Sequence, residues 1–229
     1  MVIATPDHTH AVITMAAIEM GKHVYCQKPL THTVEEARKI TAAARASKVQ
    51  TQMGNQGHSS DTIRVVREWV QSGSIGDVKE VHAWTDRPDD GPWYANFGAR
   101  DLPSDFPAVP DSLNWDLWLG PTQDRKFSPA YHPFKWRAWL DFGTGALGDM
   151  GCHILDPACW ALDLMNPSSI TAEVKHHKPE LAGKAHPIAA TVTYEFPQRG
   201  TLCPMKPVWH DGAYTRRSYT SDAADLPLR

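Results

Sequence analysis

Short apolar runs alternate with stretches of helical period over the first third of the chain. Residues 1–4 (Met, Val, Ile, Ala) read as a buried strand, stopped by Thr5-Pro6-Asp7. A helix follows, with Asp7 or Thr9 as its cap, Ala11, Val12, Met15, Ala16 and Ile18 on its inner side, and Gly21 at its C′ position. Residues 23–26 form a second strand, ended by Gln27-Lys28-Pro29. Thr33-x-x-Glu36 is a capping box that opens a helix carrying Val34, Ala37, Ile40 and Ala44. Residues 49–53 form a third strand. From Ser60 a third helix runs with Ile63, Val66 and Val70 at helical spacing and closes at Gly73. Strand, helix, strand, helix, strand, helix with short links implies right-handed parallel βαβ units.

Past Gly76 the pattern changes. Residues 77–85 alternate, with Val81 and Ala83 on one face of a strand in a different sheet. Residues 87–111 form a long loop rich in Pro, Asp and Gly, residues 114–119 a helical turn, and residues 121–139 another loop. A Gly-rich helix around residue 150 precedes strands at 170–175, 188–196 and 201–209, with Gln198-Arg199-Gly200 turning a hairpin. The tail from Asp211 is polar and without period. The change of pattern divides the chain into residues 1–76 and 77–229.

Composition narrows the classes. The 229 residues suffice for one large or two small domains, and 41% hydrophobic with 21% charged residues is ordinary for a globular protein. A net charge of −3 argues against nucleic acid as a partner. The four cysteines make no C-x-x-C pair, which fits reduced thiols and a cytoplasmic setting. No apolar run is long enough to span a membrane. The nine Trp and eighteen Pro concentrate between Arg87 and Trp139, so those loops are expected to be packed.

Two constellations carry candidate chemistry. Asp149 and His153 lie four apart, one turn along one helix face, with Asp156 and Trp160 continuing it. An imidazole suits acid–base work near neutral pH, and a carboxylate one turn away orients it or holds a substrate hydroxyl. The same spacing also fits a solvated face or a satisfied buried pair. Pro157 offers no N–H to the carbonyl of His153, so the helix is interrupted below it. The second constellation is three polar clusters at the carboxyl ends of the parallel strands: Thr5-Pro6-Asp7-His8, Gln27-Lys28-Pro29 and Gly54-Asn55-Gln56. Ligands of open α/β sheets bind at those ends.

Four segments, Ala4-Thr5-Pro6-Asp7-His8-Thr9-His10, Gly21-Lys22-His23-Val24-Tyr25-Cys26-Gln27-Lys28-Pro29, Gly54-Asn55-Gln56-Gly57-His58 and Gly148-Asp149-Met150-Gly151-Cys152-His153, occur in the order found in the glucose–fructose oxidoreductase / inositol dehydrogenase (Gfo/Idh/MocA) family, which the chain resembles to about Gly212. The resemblance implies an α/β fold: the second half of a Rossmann parallel sheet, then a larger, mostly antiparallel open-sheet domain that often forms oligomers. It implies NAD or NADP as cofactor and hydride transfer at a hydroxyl of a sugar, inositol or related polyol. No nucleic acid or membrane partner is implied. By the same resemblance Lys28 lies beside the nicotinamide and the reacting hydroxyl, His153 transfers the proton, and Asp149 binds a substrate hydroxyl. Thr5, Pro6, Asp7, His8, His10, Gln27 and Asn55 then lie along the cofactor. Trp136 and Arg137 either line a sugar site or simply pack. Gln27 stands where the family commonly has Glu, removing a charge beside Lys28.

The chain departs further from the family pattern: no G-x-G-x-x-G precedes a helix, and no acidic residue follows one to hold the adenosine ribose. Residues 1–4 match the fourth strand of the dinucleotide-binding sheet, so the chain reads as one lacking the first half of that domain and the C-terminal end of the second. The isolated chain is then expected to expose strand 1–4 as a sheet edge, to bind NAD(H) very weakly, and to aggregate or oligomerise. Three alternatives stand beside an oxidoreductase: an NAD-using glycosidase built on the same Lys and His, a metal hydrolase using His8-x-His10, and a non-catalytic assembly module. No metal site is expected on the leading reading.

Overall fold

The computed structural model describes residues 1–88, 97–175 and 177–212; the tail beyond and the middle of the expected 87–111 loop lie outside the described residues. Two compact units emerge. Unit 1 comprises Met1–Asn55, Ala99–Asp149 and Lys178–His186; unit 2 comprises Gln56–Gly98, Met150–His177 and Pro187–Arg229. The third expected helix, placed by the sequence pattern within residues 1–76, is thereby grouped with unit 2.

Unit 1 is built on a three-stranded parallel sheet in the order β1 (Val2–Ile3), β2 (Val24–Gln27), β3 (Thr51–Gly54). Ile3 pairs with Cys26, and Gln27 with Gly54. Helices α1 (Asp7–Glu19) and α2 (Val34–Ala46) make the crossovers. The Thr33/Glu36 capping box closes as the sequence implies: Thr33 Oγ1 accepts from the Glu36 N–H, and the Glu36 carboxylate accepts from the Thr33 N–H. Ile3, Ala11, Ala17, Ile18, Val24, Cys26 and Ile40 form the core. β1 lies at the edge, with Val2 75% exposed.

α1 corrects two expectations. Its N-cap is Pro6, which makes no side-chain cap bond; Asp7 occupies the first turn and Thr9 Oγ1 donates to the carbonyl of Pro6. Its buried face runs Asp7, His10, Ala11, Thr14, Ala17, Ile18, while Val12 and Ala16 face outward. Spacings of three and four select that face as well as the expected one. Polar side chains win it because His10 is satisfied there: Nδ1 lies 2.7 Å from the Pro29 carbonyl and Nε2 2.8 Å from that of Thr5.

The loops of unit 1 wrap an aromatic cluster. α4 (Trp115–Leu119), capped by Asn114, presents Trp115 stacked on Trp118 at 4.8 Å; Phe127 packs edge-on to Trp115 and Phe142 edge-on to Trp118, while Tyr131 lies parallel to Trp115 and meets Trp139 and Phe142 edge-on. This accounts for the density of indoles in an irregular segment.

Unit 2 holds a four-stranded mixed sheet, β4 (Glu80–Thr85), β7 (Lys206–Asp211), β6 (Ala189–Glu195), β5 (Ser169–Lys175), in that order. β4 and β7 are parallel; the other pairs are antiparallel. Arg199 and Leu202 bridge the β6–β7 hairpin, and Gly200 turns at φ 58°. α3 (Asp61–Gln71) packs with α6 (Asp156–Leu162). Ala161, Leu162 and Leu164 meet Phe196 and Met205 to form the core.

Helix α5 (Gly145–Ile154) carries Asp149 and His153 one turn apart. It stops before α6, with Leu155 between them and Pro157 in the first turn of α6. The missing N–H of Pro157 breaks the run where expected. Asp156 and Trp160 belong to the second of these helices, where Asp156 bonds His58 while His153 of α5 lies against the neighbouring Gln56 carbonyl.

Candidate active site

Lys28 leaves the carboxyl end of β2 and reaches α5. Its ammonium lies 2.7 Å from Asp149 Oδ1 and also donates to the Asp149 backbone carbonyl. The Asp149 side chain is 5% exposed and that of Lys28 16%, so this ion pair is held away from bulk water. Arg137 joins it, with Nε 3.4 Å from the same carboxylate oxygen. The guanidinium stands over the rings of Phe134 and Trp136, 4.1 Å and 4.2 Å from their centroids. Trp136 itself is 6% exposed, as a packing residue would be.

Backbone proximity makes this arrangement possible. A Cβ on Gly143 would stand 2.5 Å from the Arg137 Cα, and one on Gly148 would stand 2.1 Å from Thr144 Oγ1. Thr144 donates to Asp7 Oδ2 at 2.7 Å. Burial raises the Asp7 pKa above the ordinary carboxylate value; the Thr144 bond and the charges of His10, Arg137 and Lys28 pull the other way. Asp7 is thus within electrostatic reach of both site cations.

His8 and His10 are structural anchors of the same loop. The His10 ring nitrogens both face carbonyl oxygens, an arrangement that favours the imidazolium. Burial lowers its pKa, but the bonds to Cys26 and Pro29 and the charge of Asp7 prevail, and it ends above the ordinary value. His8 sits against Trp118 and Phe142, with Nε2 3.0 Å from the Trp118 carbonyl and Nδ1 3.3 Å from that of Phe142. Burial lowers its pKa. A neutral ring donating from Nε2 fits the shorter contact. Neither histidine turns a lone pair toward a metal position, and among the described residues no group of three His, Cys, Asp or Glu side chains could hold one.

Thr5 and Pro6 lie at the end of β1, Gln27 ends β2, and Asn55 follows β3, with its N–H donating to the Met53 carbonyl. Thr5 Oγ1 accepts from Thr9. Within unit 1 the structure therefore gathers Lys28, Asp149, Arg137 and Asp7. His153 lies in unit 2, where its Nδ1 is 3.3 Å from the Gln56 carbonyl. Sequence reasoning missed Thr144; its signal was a hydroxyl residue four positions before a helical glycine.

Comparison with known proteins accords with this geometry. Residues 60–198 match the profile "Oxidoreductase family, C-terminal alpha/beta domain", and residues 1–55 match "Oxidoreductase family, NAD-binding Rossmann fold". The chain belongs to the Gfo/Idh/MocA family. A levoglucosan dehydrogenase of Pseudarthrobacter phenanthrenivorans is 27% identical over 157 residues, covering 68% of this chain and 31% of that protein. A scyllo-inositol 2-dehydrogenase (NADP(+)) of Bacillus subtilis is 22% identical over 174 residues, covering 76% of this chain and 37% of that protein. Among solved structures, an inositol dehydrogenase homologue of Azotobacter vinelandii complexed with NADH and myo-inositol superposes with a TM-score of 0.61 at 22% identity, over 95% of this chain and 45% of that one. Levoglucosan dehydrogenase complexed with NADH and levoglucosan gives 0.59 at 22% identity, over 94% and 48%. The chain thus spans less than half the length of these relatives.

Proposed function

We propose that this chain forms the hydroxyl-activating part of an NAD(P)-dependent oxidoreductase acting on a cyclic polyol, sugar or anhydrosugar. The observation that carries the proposal is the desolvated Lys28–Asp149 pair, which places an ammonium and a carboxylate at the carboxyl end of a parallel strand. In this reading the Lys28 ammonium stabilises the alkoxide developing on the substrate. His153 accepts the hydroxyl proton, and Asp149 and Arg137 hold neighbouring hydroxyls. Trp136 backs the Arg137 guanidinium.

The donors at the ends of β1, β2 and β3 fit the nicotinamide–ribose end of a dinucleotide: a hydroxyl at Thr5, amides at Gln27 and Asn55, an ammonium at Lys28. Pro6 and Asp7 shape the loop there, and His8 and His10 brace it from beneath. When bound, NAD or NADP supplies the hydride acceptor. The names of the relatives support both cofactors and the cyclic polyol class.

We place the protein in the cytoplasm, on its free cysteines, as a homo-oligomer formed through sheet β4–β7–β6–β5, whose Trp84, Ile170 and Val174 are exposed. Among the described residues no helix is long and apolar enough to cross a membrane. The NAD-using glycosidase needs the same Lys28 and His153 and is separated by substrate alone.

The test is reduction of NAD+ and NADP+ with inositols, monosaccharides, levoglucosan and aryl glycosides, together with saturation-transfer NMR of the same compounds. Polyol-dependent reduction, or polyol binding lost in Lys28→Ala, supports the reading. Glycoside cleavage without net reduction selects the glycosidase. Neither binding nor turnover would leave the assembly module.

A further inference from the structure

The segment Gly54-Asn55-Gln56-Gly57-His58 ends in a histidine that the proposed chemistry does not use. Gln56, Gly57 and His58 belong to unit 2, where they meet both α5 and α6. His58 Nδ1 lies 2.8 Å and 3.1 Å from the two carboxylate oxygens of Asp156, at the start of α6. A carboxylate only accepts, so Nδ1 is the donor. The ring also leans on Trp160, one turn along α6, with 5.1 Å between centroids. Two residues before His58, the Gln56 carbonyl oxygen lies 3.3 Å from Nδ1 of His153 on α5.

These contacts close a ring. Gln56 meets α5, His58 meets α6, and Leu155 alone joins the two helices. Between the two contacts stands Gly57 at φ 94°, a backbone angle that residues with a Cβ rarely adopt. Its own carbonyl accepts from the Ser60 N–H at 3.0 Å, ahead of α3. The direction of the Gln56 carbonyl depends on the Gln56–Gly57 peptide plane, which is held by that angle and by the anchored His58.

A carbonyl oxygen has no proton to give, so His153 Nδ1 must carry one. The hydrogen bond made by one ring nitrogen sets the state of the other. Free neutral histidine carries its proton mostly on Nε2. In His153 the proton is drawn to Nδ1, and the Nε2 lone pair is left open to accept another. When it does so the ring becomes cationic, and the bond to the Gln56 carbonyl becomes charge-assisted and stronger.

We infer that Gln56 and His58 are positioning residues for His153: the His58–Asp156 clasp holds the Gln56 carbonyl against Nδ1 and so keeps Nε2 as the proton acceptor. The substrate hydroxyl proton passes to Nε2, giving imidazolium, while the hydrogen on the same carbon leaves as hydride to NAD+ or NADP+. The inference rests on the oxidoreductase reading for the role of His153, and on unit 2 alone for its geometry.

The ring tautomer of His153 is the test. It is read from long-range 15N–1H correlation spectra of the labelled full chain at alkaline pH, assigned with His153→Gln. The wild type should show a neutral ring protonated on Nδ1. His58→Ala and Gly57→Ala should each shift the tautomer ratio toward Nε2–H by about fivefold, the yield of one hydrogen bond. The first removes the clasp. The second disfavours the backbone angle at residue 57, where a methyl would meet nothing within 4 Å. His58→Asn, whose amide N–H can reach the same carboxylate, should restore the wild-type ratio. Polyol-dependent reduction of NAD+ or NADP+ should fall and recover in the same order. An Nε2–H ring in the wild type, or a ratio unmoved by both substitutions, would overturn the positioning role whatever the turnover. The expected tautomers in a protein that oxidises no polyol would support the clasp and count against the oxidoreductase reading instead. Should His58→Ala fail to fold, Gly57→Ala and Asp156→Ala decide on the same readout.

Discussion

The Lys28 ammonium and the Asp149 carboxylate, 121 positions apart in the chain, meet at 2.7 Å with little water around them. Removing one partner of such a pair leaves the other desolvated and uncompensated. Asp149→Ala should lower unfolding free energy by about 1–3 kcal/mol, because Lys28 and Arg137 are only partly exposed. Lys28→Met combined with Asp149→Ala should cost less than the sum of the single changes. Urea unfolding of the four proteins of this cycle measures it; strict additivity would show that the pair is not coupled.

Lys28→Ala and His153→Ala are expected to reduce turnover by roughly 10²–10⁴-fold while leaving NAD(H) affinity little changed, since both act on the hydroxyl and its proton. Steady-state rates and cofactor titration on the active protein separate the two effects. Normal turnover in either variant removes that residue from the mechanism.

Gly148→Ala should disturb the site through Thr144. The new methyl would overlap the Thr144 side chain and displace its hydroxyl from Asp7. Thr144→Val keeps the shape and deletes only the hydrogen bond, worth about 0.5–1.5 kcal/mol, so it should destabilise less than Gly148→Ala. Thermal denaturation ranks the two, and the reverse order would contradict the steric argument.

Asp211 makes unit 2 sensitive to pH. Burial raises its pKa from 3.8 to about 6, against the opposing bonds from Trp209 Nε1 and the Ala190 N–H. Between those values the folded state holds a proton that the unfolded chain has released. Stability is therefore fully present below about pH 4, falls as pH rises toward about 6, and is level above it, a loss of about 3 kcal/mol from this group. Unfolding free energies between pH 4 and pH 7 should decline along this slope in the wild type and flatten in Asp211→Asn.

Much of the local structure was decided by residues three or four apart. The Thr33/Glu36 box, Gly21 after α1 at φ 68°, the α4 cap at Asn114 and the break before Pro157 depend on backbone groups within one helical turn, so composition at those positions sufficed. The parallel sheet was legible for the same reason, as apolar runs of strand length alternating with helical periods. What the sequence left open was decided by distant partners. Either of two faces of α1 satisfied its periodicity, and the acceptors for His10, on Pro29 and Thr5, selected the one that buries polar side chains. The insertion of β7 between β4 and β6 joins segments more than a hundred residues apart, which no local pattern encodes. Asp149 could have been a solvated helix residue; the fold places Lys28 and Arg137 against it because Gly143 lets the backbone pass within contact of Arg137. Charges form a site when desolvation and proximity coincide, and both are properties of the tertiary structure.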